Sequence, residues 1–105
     1  MAAGRRALLG ATALVALGAH AAPRVHEVSI RDMRFDPAEL RIQLGDSVRW
    51  TNREKRTSHS VLFAGLESER LLPDESWERR FDTAGRFPYG CGPHPEMQGT
   101  VIVET

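Results

Sequence analysis

The sequence predicts an all-β fold, a two-sheet sandwich of about seven to eight short strands, and three observations support this prediction. Apolar and polar residues alternate with a period of two in short runs after residue 22. Turn-forming Gly, Pro, Asp and Asn separate those runs. Signals for helices are weak throughout the same region. Together these features indicate an antiparallel β domain.

Each predicted strand has a face, apolar except at Arg79, whose members share one parity. In chain order these faces are Val28 and Ile30; Leu40, Ile42 and Leu44; Val48 and Trp50; Val61 and Phe63; Trp77, Arg79 and Phe81; Phe87, Tyr89 and Cys91; Val101 and Val103. The runs are separated by Asp36-Pro37, Gly45-Asp46, the polar stretch 52–58, the loop 64–75 and Ala84-Gly85. We expect the paired apolar faces to form the interior of the sandwich.

The first 21 residues are predicted to be an export signal. Arg5 and Arg6 precede an apolar run from Ala7 to Ala19, and small residues flank His20 at a cleavage site between Ala21 and Ala22. The run is short for a membrane anchor, which is the alternative interpretation. The basic pair is compatible with either the Sec or the twin-arginine route. We therefore expect a periplasmic protein without stable membrane insertion after cleavage.

Residues 22–105 would form one domain, because two domains of half that size would lack adequate cores. This region has 12 basic and 14 acidic residues, a net charge of about −2 with neutral histidines. Nucleic acid is therefore not expected as a partner. Cys91 is the only cysteine. In an exported chain an unpaired thiol requires an explanation, and metal ligation provides one.

Soft metal ligands are concentrated near the C-terminus. Cys91, His94 and Met97 follow one another at three-residue spacing, and His59 lies upstream. Two imidazoles, a thiolate and a weakly bound thioether are the ligand set of blue copper sites that transfer single electrons. The pattern therefore predicts that His59, Cys91, His94 and Met97 bind one copper ion, which alternates between Cu(I) and Cu(II).

Three other chemistries fit the sequence less well. Structural zinc sites usually have four Cys or His ligands, and Met is a poor zinc ligand. A Cys91 nucleophile with a histidine base would need an oxyanion-stabilising feature, and none is recognisable. Covalent haem attachment would require a second cysteine. His26 is expected to be a strand residue, and His20 would leave with the signal.

Strand parity predicts how the ligands converge. His59 is in phase with Val61 and Phe63, while Cys91 is in phase with Tyr89, so sheet structure would fix both residues if their strands are neighbours. His94 and Met97 would lie on a loop, where glycines permit tight curvature and Pro93 and Pro95 restrict it.

The segment from Tyr89 to Met97, followed by Gly99-Thr100-Val101-Ile102-Val103-Glu104, resembles the copper loop and last strand of the cupredoxin (blue copper protein) family. The similarity is greatest to its amicyanin-like and plastocyanin-like members. It continues in Phe35-Asp36-Pro37, in the segment 45–52 and in Ser58-His59-Ser60-Val61. The resemblance implies a Greek-key β-sandwich over residues 22–105. By matched position it also implies that His59, Cys91 and His94 are equatorial ligands and Met97 the axial one.

Two residues depart from the family pattern. Ser60 occupies a position where the family usually has Asn, which links the two ligand loops. Serine has fewer hydrogen-bonding groups, so a less rigid loop is expected. Glu96 stands where amicyanin-like loops have a bulky apolar residue. A carboxylate there would favour Cu(II), lower the potential and alter docking.

The resemblance implies a soluble electron carrier and not an enzyme. Its partners would be redox proteins, such as a dehydrogenase, a cytochrome or an oxidase, and we expect it to be a monomer. The alternative function is a copper-binding module for delivery, storage or sensing, with a more exchangeable Cu(I) site.

Overall fold

The computed structural model describes residues 22–105; the predicted signal, residues 1–21, lies outside them. Nine strands are present in the described part of the chain. They are β1 (Val25–Arg31), β2 (Arg34–Asp36), β3 (Glu39–Gln43), β4 (Ser47–Asn52), β5 (Leu62–Phe63), β6 (Leu66–Glu67), β7 (Ser76–Arg80), β8 (Gly85–Gly90) and β9 (Gln98–Glu104). Over residues 22–105, no helix has the length and apolar character needed to cross a membrane.

The strands form two sheets, which confirms the predicted β-sandwich. One sheet has the order β3-β9-β8-β5-β6 and the other has the order β2-β1-β4-β7. Both sheets are mixed, because β1 runs parallel to β4 and β3 runs parallel to β9. The prediction of antiparallel pairing was therefore only partly right. After β2 the chain crosses to the other sheet for β3 and returns for β4, and such a crossover places β1 and β4 side by side in the same direction.

The interior is filled by the predicted apolar faces. Trp50 on β4 is completely buried, and its ring centroid lies 5.3 Å from that of Tyr89 and 5.9 Å from that of Phe63 on the opposite sheet. These edge-on aromatic contacts join the two layers. Leu44 is an exception, since β3 ends at Gln43 and the Leu44 side chain is 41% exposed.

One pole of the sandwich is shaped by the ends of β4 and β8. Asn52, the last residue of β4, is fully buried, and its side-chain amide donates hydrogen bonds to the carbonyl oxygens of Thr57 and Leu71, each at 2.9 Å. These bonds fold the segment 53–61 back over the core. The segment 91–97 leaves β8 at the same pole, because Leu62 at the start of β5 pairs with Gly90. The two segments are therefore held next to each other.

Candidate metal centre

His59 lies in the segment that follows β4. Its backbone N–H donates to Leu71 O at 3.1 Å, and its carbonyl accepts from Leu71 N at 2.7 Å. These two hydrogen bonds form an isolated β-bridge that fixes the backbone of His59, and the His59 side chain is fully buried. The expectation that a strand would hold His59 was thus wrong in detail, because β5 begins only at Leu62. The shared parity of His59, Val61 and Phe63 nevertheless predicted their burial correctly, since all three side chains are buried.

The two ring nitrogens of His59 have different surroundings. Nε2 lies 3.4 Å from Oε2 of Glu54, which is close enough for electrostatic interaction although the pair is not aligned as a hydrogen bond. The same carboxylate oxygen accepts the backbone N–H of Met33 at 2.9 Å. Burial lowers the pKa of His59, the neighbouring His94 lowers it further, and Glu54 partly opposes both effects. The imidazole is therefore neutral near pH 7, with a free lone pair for a metal.

Cys91 is the first residue after β8, and its side chain is buried. Two backbone hydrogen bonds shape the loop that follows. His94 N donates to Cys91 O at 3.3 Å, and Met97 N donates to His94 O at 3.0 Å. These i to i+3 bonds describe successive turns, which explains the three-residue spacing of the soft side chains. Met97 is buried and His94 is partly exposed, so one of the three soft side chains reaches the surface.

The donor atoms of His59, Cys91 and His94 converge. Sγ of Cys91 lies 3.6 Å from Nδ1 of His59 and 3.6 Å from Nδ1 of His94. All three atoms lie within 4.8 Å of one another. Metal bonds of about 2.0 Å to nitrogen and 2.3 Å to thiolate, meeting at about 120°, would separate nitrogen from sulfur by about 3.7 Å. Both sulfur–nitrogen distances therefore suit a single transition-metal ion bound between the three side chains.

The residue after His59 contacts both parts of the centre. Ser60 N lies 3.4 Å from Cys91 Sγ and donates to it, and Ser60 Oγ accepts from Gly92 N at 2.9 Å. Ser60 Oγ in turn donates to Oε2 of Glu67 at 2.8 Å. Serine thus links the two ligand loops. No sequence signal indicates the roles of Glu54 and Glu67, because both depend on how the surrounding loops fold.

Other residues considered from sequence lie away from this cluster. His26 is in β1, and its Nε2 lies 2.9 Å from Oδ2 of Asp46 at the opposite pole. Glu96, by contrast, belongs to the loop itself, between His94 and Met97 in sequence, and is exposed. His20 falls outside the described residues. The group of donor atoms accordingly lies where the two loops converge.

Comparison with known proteins agrees with this fold and this arrangement of donors. The family model of the cupredoxin-like domain matches residues 5–103. The chain belongs to the cupredoxin-like family. The resemblance inferred from the copper-loop motif is therefore confirmed.

Individual relatives of this cupredoxin are amicyanins and plastocyanins. It is 36% identical to amicyanin of Paracoccus denitrificans over 84 residues, covering 73% of this chain and 63% of the relative. It is 36% identical to amicyanin-alpha of Methylorubrum extorquens over 110 residues, covering 93% of this chain and 92% of the relative. It is 39% identical to the chloroplastic plastocyanin of Tetradesmus obliquus over 85 residues, covering 67% of this chain and 58% of the relative. The matched segment is thus less than two thirds of the first and third of these relatives.

Solved structures of amicyanin variants share the fold. One variant in the Cu(I) state superposes with a TM-score of 0.73 at 32% identity, covering 76% of this chain and 82% of that chain. Another Cu(I) variant gives a TM-score of 0.74 at 33% identity, covering 82% of this chain and 88% of that chain. These similarities extend over most of the described β-sandwich.

Proposed function

We propose that this cupredoxin is a type 1 copper protein that transfers single electrons between redox proteins. Its ligands would be His59, Cys91 and His94 in the equatorial plane and Met97 in the axial position. The observation that supports this most directly is the pair of equal Sγ to Nδ1 distances, 3.6 Å each, at one pole of the sandwich. A thiolate with two imidazoles favours copper, and a nearby thioether is typical of electron-transfer sites.

Each ligand has a role that follows from its position. Copper, when bound, would supply a centre that gains and loses one electron. Cys91 would provide the thiolate, held by the N–H of Ser60. His59 would provide a neutral imidazole kept from solvent. Met97, which is buried on the same loop, would provide a weak fourth donor that adjusts the potential.

His94 would be the route by which electrons enter and leave. It is the only one of the four proposed ligands that is partly exposed in the described structure. Pro93 and Pro95 on either side are exposed and offer a stiff, apolar rim. A small contact of this kind suits weak and short-lived encounters between redox proteins.

The proposed setting is the periplasm, with residues 1–21 as a cleaved signal. The donor and acceptor would be redox proteins such as a dehydrogenase, a cytochrome or an oxidase, and the carrier would act as a monomer. No bond of a substrate is made or broken in this function, so the protein would not be an enzyme.

Optical and electrochemical measurements on the copper-loaded protein test this proposal. We expect an intense blue Cu(II) form, one copper per chain and a reversible one-electron wave. Replacement of Cys91 by Ser is expected to abolish the blue colour, because the absorption arises from the thiolate bond. A colourless protein that binds only Cu(I), or a Cys91→Ser variant that remains blue, would contradict the proposal; the first result would favour copper delivery or storage.

A further inference from the structure

We propose that the Glu67 carboxylate completes a clamp on the Cys91 thiolate, by fixing the Ser60 hydroxyl that links the two ligand loops, and that it lowers the reduction potential of the site. The effect on the potential rests on the proposed copper function, whereas the clamp itself does not. Both residues are positioning residues, because neither is one of the proposed metal ligands. The clamp consists of the hydrogen bonds from Gly92 N to Ser60 Oγ and from Ser60 Oγ to Glu67 Oε2.

Ser60 holds the cysteine from two sides. Its backbone N–H points at Sγ over 3.4 Å, and its hydroxyl oxygen accepts the N–H of Gly92, the residue that follows Cys91. The thiolate and the peptide directly after it are thus fixed to a single residue. Hydrogen bonding around the cysteine sulfur is one of the factors that sets the potential of such sites. Since Ser60 is also covalently joined to His59, the clamp connects both ligand loops.

Glu67 determines which way the serine hydroxyl points. A hydroxyl has one hydrogen to donate, and here that hydrogen is directed to the carboxylate at 2.8 Å. The oxygen lone pairs therefore remain available for Gly92 N. Bonds to a charged acceptor are stronger than those between neutral groups, so the carboxylate holds the hydroxyl more firmly than a neutral acceptor would.

The close approach at Gly92 supports the same arrangement. A Cβ atom at this position would overlap Oε2 of Glu67 and would lie 3.0 Å from Ser60 Oγ. The φ angle of Gly92 is outside the left-handed range, so backbone conformation does not account for the glycine. The absence of a side chain leaves room for the carboxylate and the hydroxyl beside the loop.

The charge of Glu67 has an electrostatic consequence for the proposed copper site. A negative charge stabilises Cu(II) more than Cu(I), because Cu(II) has one more positive charge. The carboxylate is joined through one hydroxyl to the peptide that follows Cys91. Glu67 therefore lowers the reduction potential, even though its side chain is exposed and the solvent weakens the effect.

Hydrogen exchange of the Gly92 amide tests the clamp without any need for copper. In the metal-free protein, Ser60→Ala is expected to accelerate exchange at Gly92 by roughly fivefold, the ratio that corresponds to one hydrogen bond. Ser60→Thr keeps the hydroxyl and should restore protection. Ser76→Ala, which removes a serine hydroxyl bonded to Thr51 on β4, is the matched control and should leave Gly92 unchanged. Unchanged exchange in β1 and β4 would show that the Ser60 variants are folded.

Voltammetry of the copper-loaded protein tests the contribution of the charge. Glu67→Gln keeps a side-chain oxygen for Ser60 but removes the charge, so the potential should rise while the blue colour is retained. Glu104→Gln makes the same charge change at the far end of β9 and should leave the potential almost unchanged.

Two results would overturn the inference. The clamp is wrong if Gly92 remains as protected in Ser60→Ala as in the wild type. The electrostatic part is wrong if the Glu67 and Glu104 variants shift the potential equally. A protein that binds no copper would contradict the proposed function and the electrostatic part, and the Gly92 exchange result would still decide the clamp.

Discussion

Oε2 of Glu54 lies 3.4 Å from Nε2 of His59 and also accepts the backbone N–H of Met33 at 2.9 Å. One carboxylate therefore connects the turn between β1 and β2 to the most deeply buried ring of the metal centre. Partners of this kind orient a ligand histidine and increase its basicity.

Replacing Glu54 by Ala is expected to weaken copper binding by roughly tenfold or more, because the His59 ring loses the group that faces its outer nitrogen. Competition with a chelator of known affinity measures the change. Glu78→Ala is the control, since Glu78 is exposed on β7 and bonds only to Arg49 among the described residues. Equal affinities for both variants would show that Glu54 does not orient the ring.

Much of the fold follows from the sequence, because a half-buried strand has a strict period of two. The parity of Val28, Ile30, Val101 and Val103 predicted their burial correctly. The parallel pairs could not be predicted in this way, since parity shows which face of a strand is buried and not which strand lies beside it. The short strand β6 inside the predicted loop 64–75 was missed for a related reason, as its two residues are both exposed.

The convergence of His59, Cys91 and His94 was predictable because their chemistry is unusual, and a lone Cys with nearby His and Met stands out in any sequence. The groups around them were not predictable. Glu67 reaches Ser60 only because the β5–β6 hairpin turns back toward the segment after Cys91. Ordinary glutamates have no local signature, so their roles become visible only with the tertiary structure.

Replacing Met97 by Leu is expected to raise the reduction potential and to leave the blue colour. The loss of a thioether donor destabilises the electron-poor Cu(II) state more than Cu(I), whereas the colour depends on Cys91. Voltammetry and visible absorption of the same sample measure both quantities. An unchanged potential would mean that Met97 is a packing residue and not an axial ligand.

Asp46 is predicted to stabilise the pole opposite the metal centre. Its carboxylate is 4% exposed and accepts hydrogen bonds from Arg24 N at 3.0 Å and Gln43 N at 3.1 Å, while His26 Nε2 lies at 2.9 Å. Asp46→Ala would leave backbone donors without a partner, so we expect a loss of roughly 2 kcal/mol in the free energy of unfolding at pH 7. Urea titration measures this free energy. Asp82→Ala, which changes an exposed aspartate, should lower it by less than about 0.5 kcal/mol.

The contribution of Asp46 should also depend on pH. Burial by itself raises the pKa of Asp46, but the hydrogen bonds from Arg24, His26 and Gln43 together hold the pKa below 3.8. A carboxylate whose folded pKa is lowered contributes stability above its unfolded pKa, and the contribution is lost as the pH falls through the folded pKa. The difference between wild type and Asp46→Ala should thus narrow below about pH 3.8. A difference that stays constant into acid would contradict this account.

Arg79 is predicted to contribute little net stability despite its position between aromatic rings. Its guanidinium carbon lies 4.4 Å from the ring centroid of Phe63 and 4.5 Å from that of Phe81, a favourable arrangement. Nη1, however, is buried without a hydrogen-bond partner, and burial lowers the pKa of Arg79. We expect the free energy of unfolding of Arg79→Met, which keeps most of the packing, to lie within about 1 kcal/mol of that of the wild type. Thermal unfolding measures this difference. A much larger loss would show that the cation is essential to the core.

X-ray absorption spectroscopy at the copper edge tests the proposed ligand set most directly. In the Cu(II) protein we predict one short copper–sulfur bond of about 2.3 Å or less and two copper–nitrogen bonds of about 2.0 Å, with the sulfur absent in Cys91→Ser. A first shell made only of nitrogen and oxygen, or one that is unchanged in the Cys91 variant, would contradict the convergence of His59, Cys91 and His94 on one copper ion.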